Sequence, residues 1–488
     1  MSVSADDPVV VIGAGPAGLT AAYDLTRRGV PTIVFDGDTQ VGGLAKTIVY
    51  KGFRFDIGGH RFFTKVPAVQ ALWRDLLGDD LLRRPRLSRI YYGGRFFDYP
   101  LKAANVLANL GPFTSAAVVA SYLRARAQPI APERSFEDWI CNRFGRRLFD
   151  MFFKSYTEKV WGMPCGEIGA EWAAQRIRGL SLWSAVRDMI RPNGPGVVKT
   201  LVHEFEYPRL GPGMMWERCR ARIEARGGRV ELGAPIVSLQ HDGARITAVV
   251  AGVNGHCRMQ PASHVISTMP VRHLVSRMSP GAPVPVQAAG RRLKYRDFLI
   301  VALIVDQAAV FPDNWIYVHD PSVRVGRVQN FKNWSPEMVP DPRLTCLGLE
   351  YFCSRGDDLW RLNDRDLVAL ATREIAAIGL VAADRVVDAT VLRVPKAYPV
   401  YDGGYREALA GVRAWLTRFS NLQLVGRNGM HRYNNQDHSM LTAQLAVQNL
   451  FGARHDLWAV NEDERYHEEA DVRALAESQP LLPQRLRN

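Results

Sequence analysis

The chain is poor in lysine and cysteine and has no long hydrophobic run, and each shortage excludes a class of protein. Only ten of its 62 basic residues are lysine, so 52 are arginine, a planar and permanently charged donor suited to phosphate. There are six cysteines, Cys141, Cys165, Cys219, Cys257, Cys346 and Cys353, with no C-x-x-C pair and no histidines at zinc spacing. That excludes a disulfide scaffold, and no metal site is expected. Free thiols in a reducing, cytoplasmic setting are the reading. Ala103 to Leu123 runs uncharged for about a membrane span, but it holds Asn105, Asn109, Gly111-Pro112, Thr114 and Ser115. It reads as two short buried helices around a Gly-Pro break, with no membrane span. Met1 to Pro8 is short and acidic, unlike a signal peptide. No block of five like charges, internal repeat or nucleic-acid motif is present, so no nucleic-acid partner is expected despite a net charge of +13.

What remains is a globular chain of 488 residues, 47% hydrophobic and 23% charged. That length allows about three domains, or one discontinuous domain with insertions. Val9-Val10-Val11-Ile12 is a continuous apolar run, as a strand buried on both faces requires. Gly13-Ala14-Gly15-Pro16-Ala17-Gly18 follows, then a helical pattern through Leu19, Ala22, Tyr23 and Leu25, and a second apolar run, Thr32 to Phe35, ending at Asp36. This is a βαβ unit. From Trp73 to about Leu201 the pattern is mostly helical. Gly227 to Leu232, Ile236 to Leu239 and Ile246 to Val250 read as a β-meander. Ser263 to Pro270 reads as a strand ending in a turn, and Phe298 to Val305 and Leu344 to Phe352 as strands of a separate sheet. Asp364 to Ile378 reads as a helix, Leu422 to Leu450 as strand, loop and helix, and the tail after Ala470 is polar.

A lone G-x-G-x-x-G is a weak signal, but here it lies between a strand and a helix, with Asp36 ending the next strand 18 positions after Gly18. Gly13 allows the tight turn, Gly15 the close approach of backbone to a pyrophosphate, and Gly18 the packing of helix on sheet; Asp36 would accept from a ribose hydroxyl. Gly42-Gly43 and Phe53-Arg54-Phe55-Asp56-Ile57-Gly58-Gly59-His60 follow, and the second glycine pair lets backbone approach the same ligand again. This extended arrangement resembles the FAD-binding end of the amine oxidase, protoporphyrinogen oxidase and UDP-galactopyranose mutase superfamily, which implies FAD.

Further blocks resemble the UDP-galactopyranose mutases, closer to the eukaryotic type. Gly58-Gly59-His60 looks like their Gly-Gly-His segment beside the flavin. Phe152 to Trp161 is similar to their Tyr-x-x-Lys-Val-Trp stretch, with Arg176 soon after. Phe205 to Gly213 is similar to Phe-x-Pro-x-x-Gly-x-Gly, Arg327 to Pro336 to Arg-x-x-x-Phe-Ser-Asn-Tyr-Ser-Pro, and Ala397-Tyr398-Pro399 to Gly-Tyr-Pro. Arg432-Tyr433-Asn434-Asn435-Gln436-Asp437-His438-Ser439 matches Arg-Tyr-x-x-x-Asn-Gln-Asp-His-Ser with two loop residues fewer. Where the chain reads Arg61-Phe62-Phe63-Thr64-Lys65, the eukaryotic mutases have smaller and less charged residues, which bears on the sugar and the base.

The resemblance implies an α/β fold: a discontinuous FAD-binding Rossmann-like domain (1–100, 203–290 and 400–460), a helical insert (101–202), a substrate-binding sheet domain (291–399) and a tail (461–488). It also implies a nucleotide-sugar substrate and a flavin-dependent mutase that isomerises a pyranose to a furanose, with N5 of reduced FAD as nucleophile at the anomeric carbon. Arg176 and Arg327 would hold the diphosphate and Tyr398 and Tyr433 would donate hydroxyls to it. Trp161 would stack on the base, with Tyr156 beside it. His60 would answer the flavin redox state, and Arg427, Asn435, Gln436 and Asp437 would meet the cofactor. NAD(P)H is a candidate external reductant, although no second nucleotide fingerprint is present. The alternative is an FAD-dependent oxidoreductase of the amine oxidase type, with an apolar or aromatic-caged pocket in place of two converging arginines. The sequence assigns no oligomeric state.

Overall fold

The computed structural model describes residues 7–99, 101, 103–170 and 204–461. Arg176 and the polar tail lie outside the described residues.

Val9–Ile12 is the middle strand of a five-stranded sheet, with Thr32–Phe35 and His264–Ser267 on either side and Arg229–Glu231 and Leu422–Leu424 at the edges. All four pairings are parallel, with Ile12 level with Phe35 on one side and Ser267 on the other. A parallel sheet is covered on both faces, hence the unbroken burial of Val9–Ile12. Helix Pro16–Arg27 follows the glycine-rich turn and packs against the last long helix, Gln436–Leu450. The chain thus returns after more than 400 residues to complete the domain that it began.

A second, seven-stranded sheet runs in the order Val386–Pro399, Tyr295–Val305, Thr345–Cys353, Arg327–Asn330, Trp315–Val318, Ser88–Tyr92, Arg95–Asp98. Side-chain alternation divides its central strands. Leu347, Leu349 and Tyr351 pack with Leu367, Ala371 and Ile375 of helix Asp364–Ala377. Cys346 and Phe352 face the opposite way, towards Phe53, Phe55, Tyr207 and Trp334. Glu350 shares that second face by the same period of two. Helices Ala103–Leu110, Pro112–Ala127 and Phe136–Phe144 lie against the edge near Phe97, and helix Ser155–Trp161 packs on strand Thr345–Cys353.

Three expectations are corrected. The described part of the run after Trp73 is mostly helical, but it does not begin so: helix Pro67–Leu77 gives way to strands Leu81–Pro85, Ser88–Tyr92 and Arg95–Asp98, and the last two join the sheet formed by residues 295–399. β-Branched and aromatic residues such as Ile90, Tyr91 and Phe96 favour a strand once a sheet edge is available. The meander is not continuous either. Arg229–Glu231 pairs in parallel with Thr32–Phe35, while Ile236–His241, Ile246–Val253 and His256–Pro261 form a separate antiparallel sheet with Met278–Ser279. Finally, the two helices do break at Gly111-Pro112, but the second buries only Val118 and leaves Phe113 91% exposed.

Candidate functional site

The glycine-rich turn closes as a crossing of two backbones. Gly15 caps helix Pro16–Arg27 without a side chain, and Pro16 occupies the first turn, so the helix N-terminus is left open. Gly42 donates its N–H to the Ala14 carbonyl at 2.8 Å, bringing the second glycine pair onto the first. A Cβ on Gly15 would stand 3.7 Å from the Gly43 Cα, whereas one on Gly18 would stand 1.8 Å from the Gly13 carbonyl oxygen. Gly18 is therefore required by helix-on-sheet packing. Gly15 meets no such obstacle in the chain itself. Asp36 Oδ2 accepts from the Ala14 N–H at 2.6 Å and Oδ1 from the Asp38 N–H at 2.8 Å, and burial raises its pKa.

At the far end of this crossing lies the row that the seven-stranded sheet presents to the first domain. Tyr317, Arg327 and Glu350 are register partners on three adjacent strands. The Arg327 Nε donates to Glu350 Oε2 at 2.5 Å, and Gln329 Nε2 donates to Glu350 Oε1 at 2.8 Å. Glu350 has no exposed side chain. Its partner cation is held above its usual range: burial, the largest single effect, opposes the charge, but Glu350 together with Tyr156, Tyr398 and Tyr317 outweighs it. A Cβ on Gly58 would stand 3.6 Å from the Arg327 guanidinium, so the Gly58-Gly59-His60 segment passes directly over this pair.

His60 lies between two cations. Its Nε2 is 2.9 Å from the Ile57 carbonyl oxygen. Burial, then Arg427, with a smaller contribution from Arg327, lower its pKa to about 4, so the imidazole is neutral at physiological pH. Arg427 donates from Nε to the Asn434 carbonyl at 2.8 Å and from a terminal nitrogen to the Ala397 carbonyl at 3.2 Å. Its Cζ lies 4.9 Å from the Tyr433 ring centre and 5.6 Å from that of Tyr398. Those two rings stack at 5.7 Å with 12° between planes. Among the described residues Arg427 has no carboxylate partner.

The helical insert contributes Tyr156, which stacks on His319 at 4.6 Å and meets the edge of Tyr317 at 5.5 Å. Burial raises the Tyr156 phenol well above its usual value and that of Tyr398 to about 12, and Arg327 lowers both. One turn after Tyr156, the Lys159 Nζ donates to the carbonyls of Val318, Asp320 and Val325, at 3.2, 2.6 and 3.2 Å, tying the insert to the sheet. Trp161 is buried with Phe136, Trp139 and Cys165, and its ring lies 6.4 Å from Tyr433 and from Tyr401.

The last helix opens as the sequence suggests. Asn435 caps it in a reciprocal box with His438, and Gln436 and Asp437 form the first turn. Both amide atoms of Gln436 are buried with no hydrogen-bond partner in the protein.

The structure thus gathers His60, Arg327, Arg427, Tyr156, Tyr398 and Tyr433 into one cleft between the sheets. It keeps Asp36, Gly13, Gly15, Gly18, Gly42 and Gly43 at the other end. Sequence reasoning missed Glu350, Tyr317, His319 and the anchoring role of Lys159. Glu350 had a signal, being a lone acid within the otherwise apolar run Thr345–Cys353; Tyr317 and His319 had none.

Residues 16–431 match the family of flavin containing amine oxidoreductases, and the chain belongs to that family. Two curated relatives match over short segments. An inactive all-trans-retinol 13,14-reductase from Danio rerio is 54% identical over 50 residues, 10% of this chain and 8% of that protein. Protoporphyrinogen oxidase 2 from Arabidopsis thaliana is 40% identical over 68 residues, 14% of this chain and 13% of that protein. The chain therefore aligns with less than a sixth of either. Among solved structures, a reduced UDP-galactopyranose mutase superposes with a TM-score of 0.81 at 21% identity, over 94% of this chain and 99% of that one. That likeness establishes the fold. No helix among the described residues is long and apolar enough to cross a membrane, and no group of acids, histidines and cysteines among them is arranged to hold a metal.

The family implies FAD, and the residues present fit it. The Gly15–Gly43 crossing leaves backbone without side chains where a pyrophosphate would lie. The unpaired Gln436 amide is a donor and an acceptor that the protein itself does not use.

Proposed function

We propose that this flavoprotein is a sugar-nucleotide mutase, an isomerase that interconverts the pyranose and furanose forms of a nucleotide-linked sugar. The observation that carries the reading is the pair of guanidiniums, Arg327 and Arg427, acting on one neutral His60. Such a cleft favours an anion. Reduced flavin would supply a nucleophilic nitrogen for the anomeric carbon. As the anomeric C–O bond lengthens, negative charge grows on the departing diphosphate, and fixed guanidiniums stabilise that charge without reorganising. Glu350 fixes Arg327 for this task, and Arg427 is fixed by the carbonyls of Asn434 and Ala397. We assign Tyr398 and Tyr433 as hydroxyl donors to the same phosphates, Tyr156 to the nucleotide end with Trp161, and Arg176 as a further phosphate ligand. Gly13, Gly15, Gly18, Asp36, Gly42, Gly43, Gly59, Asn435, Gln436 and Asp437 are assigned to the cofactor, with NAD(P)H as an external reductant.

The oxidoreductase reading draws on the family and on the names of its curated members. The Tyr398–Tyr433 stack is the feature that it would use. However, a cation already lies over those rings, the side chain of Arg427, and an amine substrate would have to compete with it.

The deciding experiment is anaerobic. The purified protein is reduced with dithionite, given UDP-galactose and then other UDP-, GDP- and dTDP-sugars, and the products are separated by chromatography. A product of identical mass that forms over many turnovers, and only with reduced flavin, is expected. Absence of any isomer across the panel, together with peroxide formation when an amine or alkene is supplied, overturns the reading in favour of oxidation.

A further inference from the structure

Helix Pro112–Ala127 is turned inside out. Phe113, Ala116, Ala120, Leu123 and Ala127 recur at three- and four-residue spacing, so they share one face, and all five are exposed. Phe113 is 91% exposed and Leu123 60%. The opposite face holds Val118, the one buried residue of the helix, with Ser115, Ser121 and Tyr122 half-buried beside it. That face is attached to the rest of the insert: Ser121 Oγ accepts the Arg147 N–H at 3.1 Å, and a Cβ on Gly145 would stand 2.8 Å from the Tyr122 nitrogen. A helix that turns serines to the protein and an apolar stripe to solvent reverses the arrangement of an ordinary surface helix.

Exposed apolar side chains concentrate here. Among the described residues twelve large hydrophobic side chains are exposed, and five of them, Leu107, Phe113, Val119, Leu123 and Ile130, fall within residues 107–130. Single exposed residues need no explanation, but a stripe of them marks a contact surface. Its charge identifies the contact. Between Asp98 and Glu133 the sequence holds three cations, Lys102, Arg124 and Arg126, and no acid. At about 3.6 residues per turn, Arg124 and Arg126 leave the helix on either side of Leu123, and both are exposed. The next acids along the chain, Glu133 and Glu137, are paired with Arg143 and Arg146.

An apolar stripe flanked by cations fits an anionic bilayer, where the apolar side chains enter the acyl boundary and the arginines reach the headgroup phosphates. A second copy of the chain fits poorly, because a two-fold contact sets the patch against itself and brings Arg124 and Arg126 up to their own counterparts. We propose that the face of helix Pro112–Ala127 bearing Phe113 and Leu123, with Arg124 and Arg126 beside it, docks this protein on the surface of an anionic lipid bilayer. At 16 residues the helix is too short to span the hydrocarbon core and lies along the surface.

The test is cosedimentation of the flavin-loaded full chain with vesicles of equal parts phosphatidylcholine and phosphatidylglycerol, and with vesicles of phosphatidylcholine alone. Binding to the anionic vesicles is expected, about tenfold tighter or more than to the neutral ones and weakened by salt. Phe113→Ser with Leu123→Ser should weaken it about tenfold or more, since these changes remove the side chains that enter the bilayer. Arg124→Gln with Arg126→Gln should weaken binding to the anionic vesicles to a similar extent. All four side chains are exposed, and bound-flavin absorbance and a thermal melt check that each variant is folded. Val284→Ser, which removes a 74% exposed side chain on helix Val284–Arg292, should change nothing. Absence of binding to the anionic vesicles overturns the proposal. So does binding that Phe113→Ser with Leu123→Ser leaves intact, which is adsorption through the net charge of +13 alone. Sedimentation without vesicles addresses the other occupant: a wild-type dimer that the Phe113 and Leu123 changes dissociate, with no vesicle binding, assigns the face to a second copy and overturns the proposal. No outcome depends on the reaction carried out in the cleft.

Discussion

Arg327 and Glu350 face each other across adjacent antiparallel strands, and the carboxylate is wholly enclosed. This cross-strand pair fixes a cation that the second sheet presents to the Gly58-Gly59-His60 segment. The alternation of the strands sets which face it occupies; the arginine's own flexibility does not enter.

Removing one partner should therefore be costly. Glu350→Ala leaves a buried guanidinium uncompensated and is expected to lower unfolding stability by about 3–5 kcal/mol. Denaturant unfolding of the variant checks this, and a loss below about 1 kcal/mol, the range of a surface pair, would contradict the burial described.

Arg427 and His60 should be coupled. Arg427→Met removes the largest charge that disfavours the imidazolium, so the His60 titration should move upwards from about 4. Histidine resonances followed by NMR against pH report the shift directly. An unmoved His60 would mean that Arg427 does not share its cleft.

Gly15→Ala should separate cofactor binding from folding. Gly15 has φ −85°, and a methyl group there meets only ordinary contacts in the protein. The expected product is a folded, colourless protein with an unfolding temperature close to that of the flavin-free wild type. Gly18→Ala, which would press on the Gly13 backbone, is expected to fail to fold. Absorbance of bound flavin and a thermal melt distinguish the two.

Asp56 gives a pH signature. It is buried, accepts from Thr47 at 2.8 Å and Tyr207 at 2.5 Å, and burial raises its pKa from 3.8 to about 7. The folded protein therefore keeps a proton that the unfolded chain has already lost. From about pH 4 to about pH 7 this residue removes stability as pH rises, by about 4 kcal/mol over the whole window. Asp56→Asn has no proton to lose, so its stability relative to the wild type should climb across that window and level off above it. Parallel pH profiles of the two proteins would exclude the raised value.

Much of the dinucleotide end was legible in the sequence, because its requirements are local. Strand, glycine turn, helix and acid follow one another within the segment from Val9 to Asp36, and steric limits on a tight turn and a close helix permit few residues. The buried strands Tyr295–Val305 and Thr345–Cys353 were legible for a similar reason: an unbroken apolar run has few other places to go. The place of the strands from Leu81 to Asp98 was not legible: Ser88–Tyr92 and Arg95–Asp98 pair locally with each other, but they join the seven-stranded sheet only through Trp315–Val318, more than 200 residues on, and Leu81–Pro85 waits for Glu204–Pro208.

By itself the sequence determined a nucleotide-binding βαβ unit and a surplus of arginine. It could not say which arginine would be held, by what, or next to which histidine. That depended on the register between Arg327–Asn330 and Thr345–Cys353 and on the return of the chain at Gly426–Gly429, which places Arg427 over Tyr398 and Tyr433. The physical reason is range. Backbone sterics act over a few residues and can be read in order, whereas the electrostatic character of a buried site is a sum over groups from several distant segments, and only the tertiary fold sets the distances in that sum.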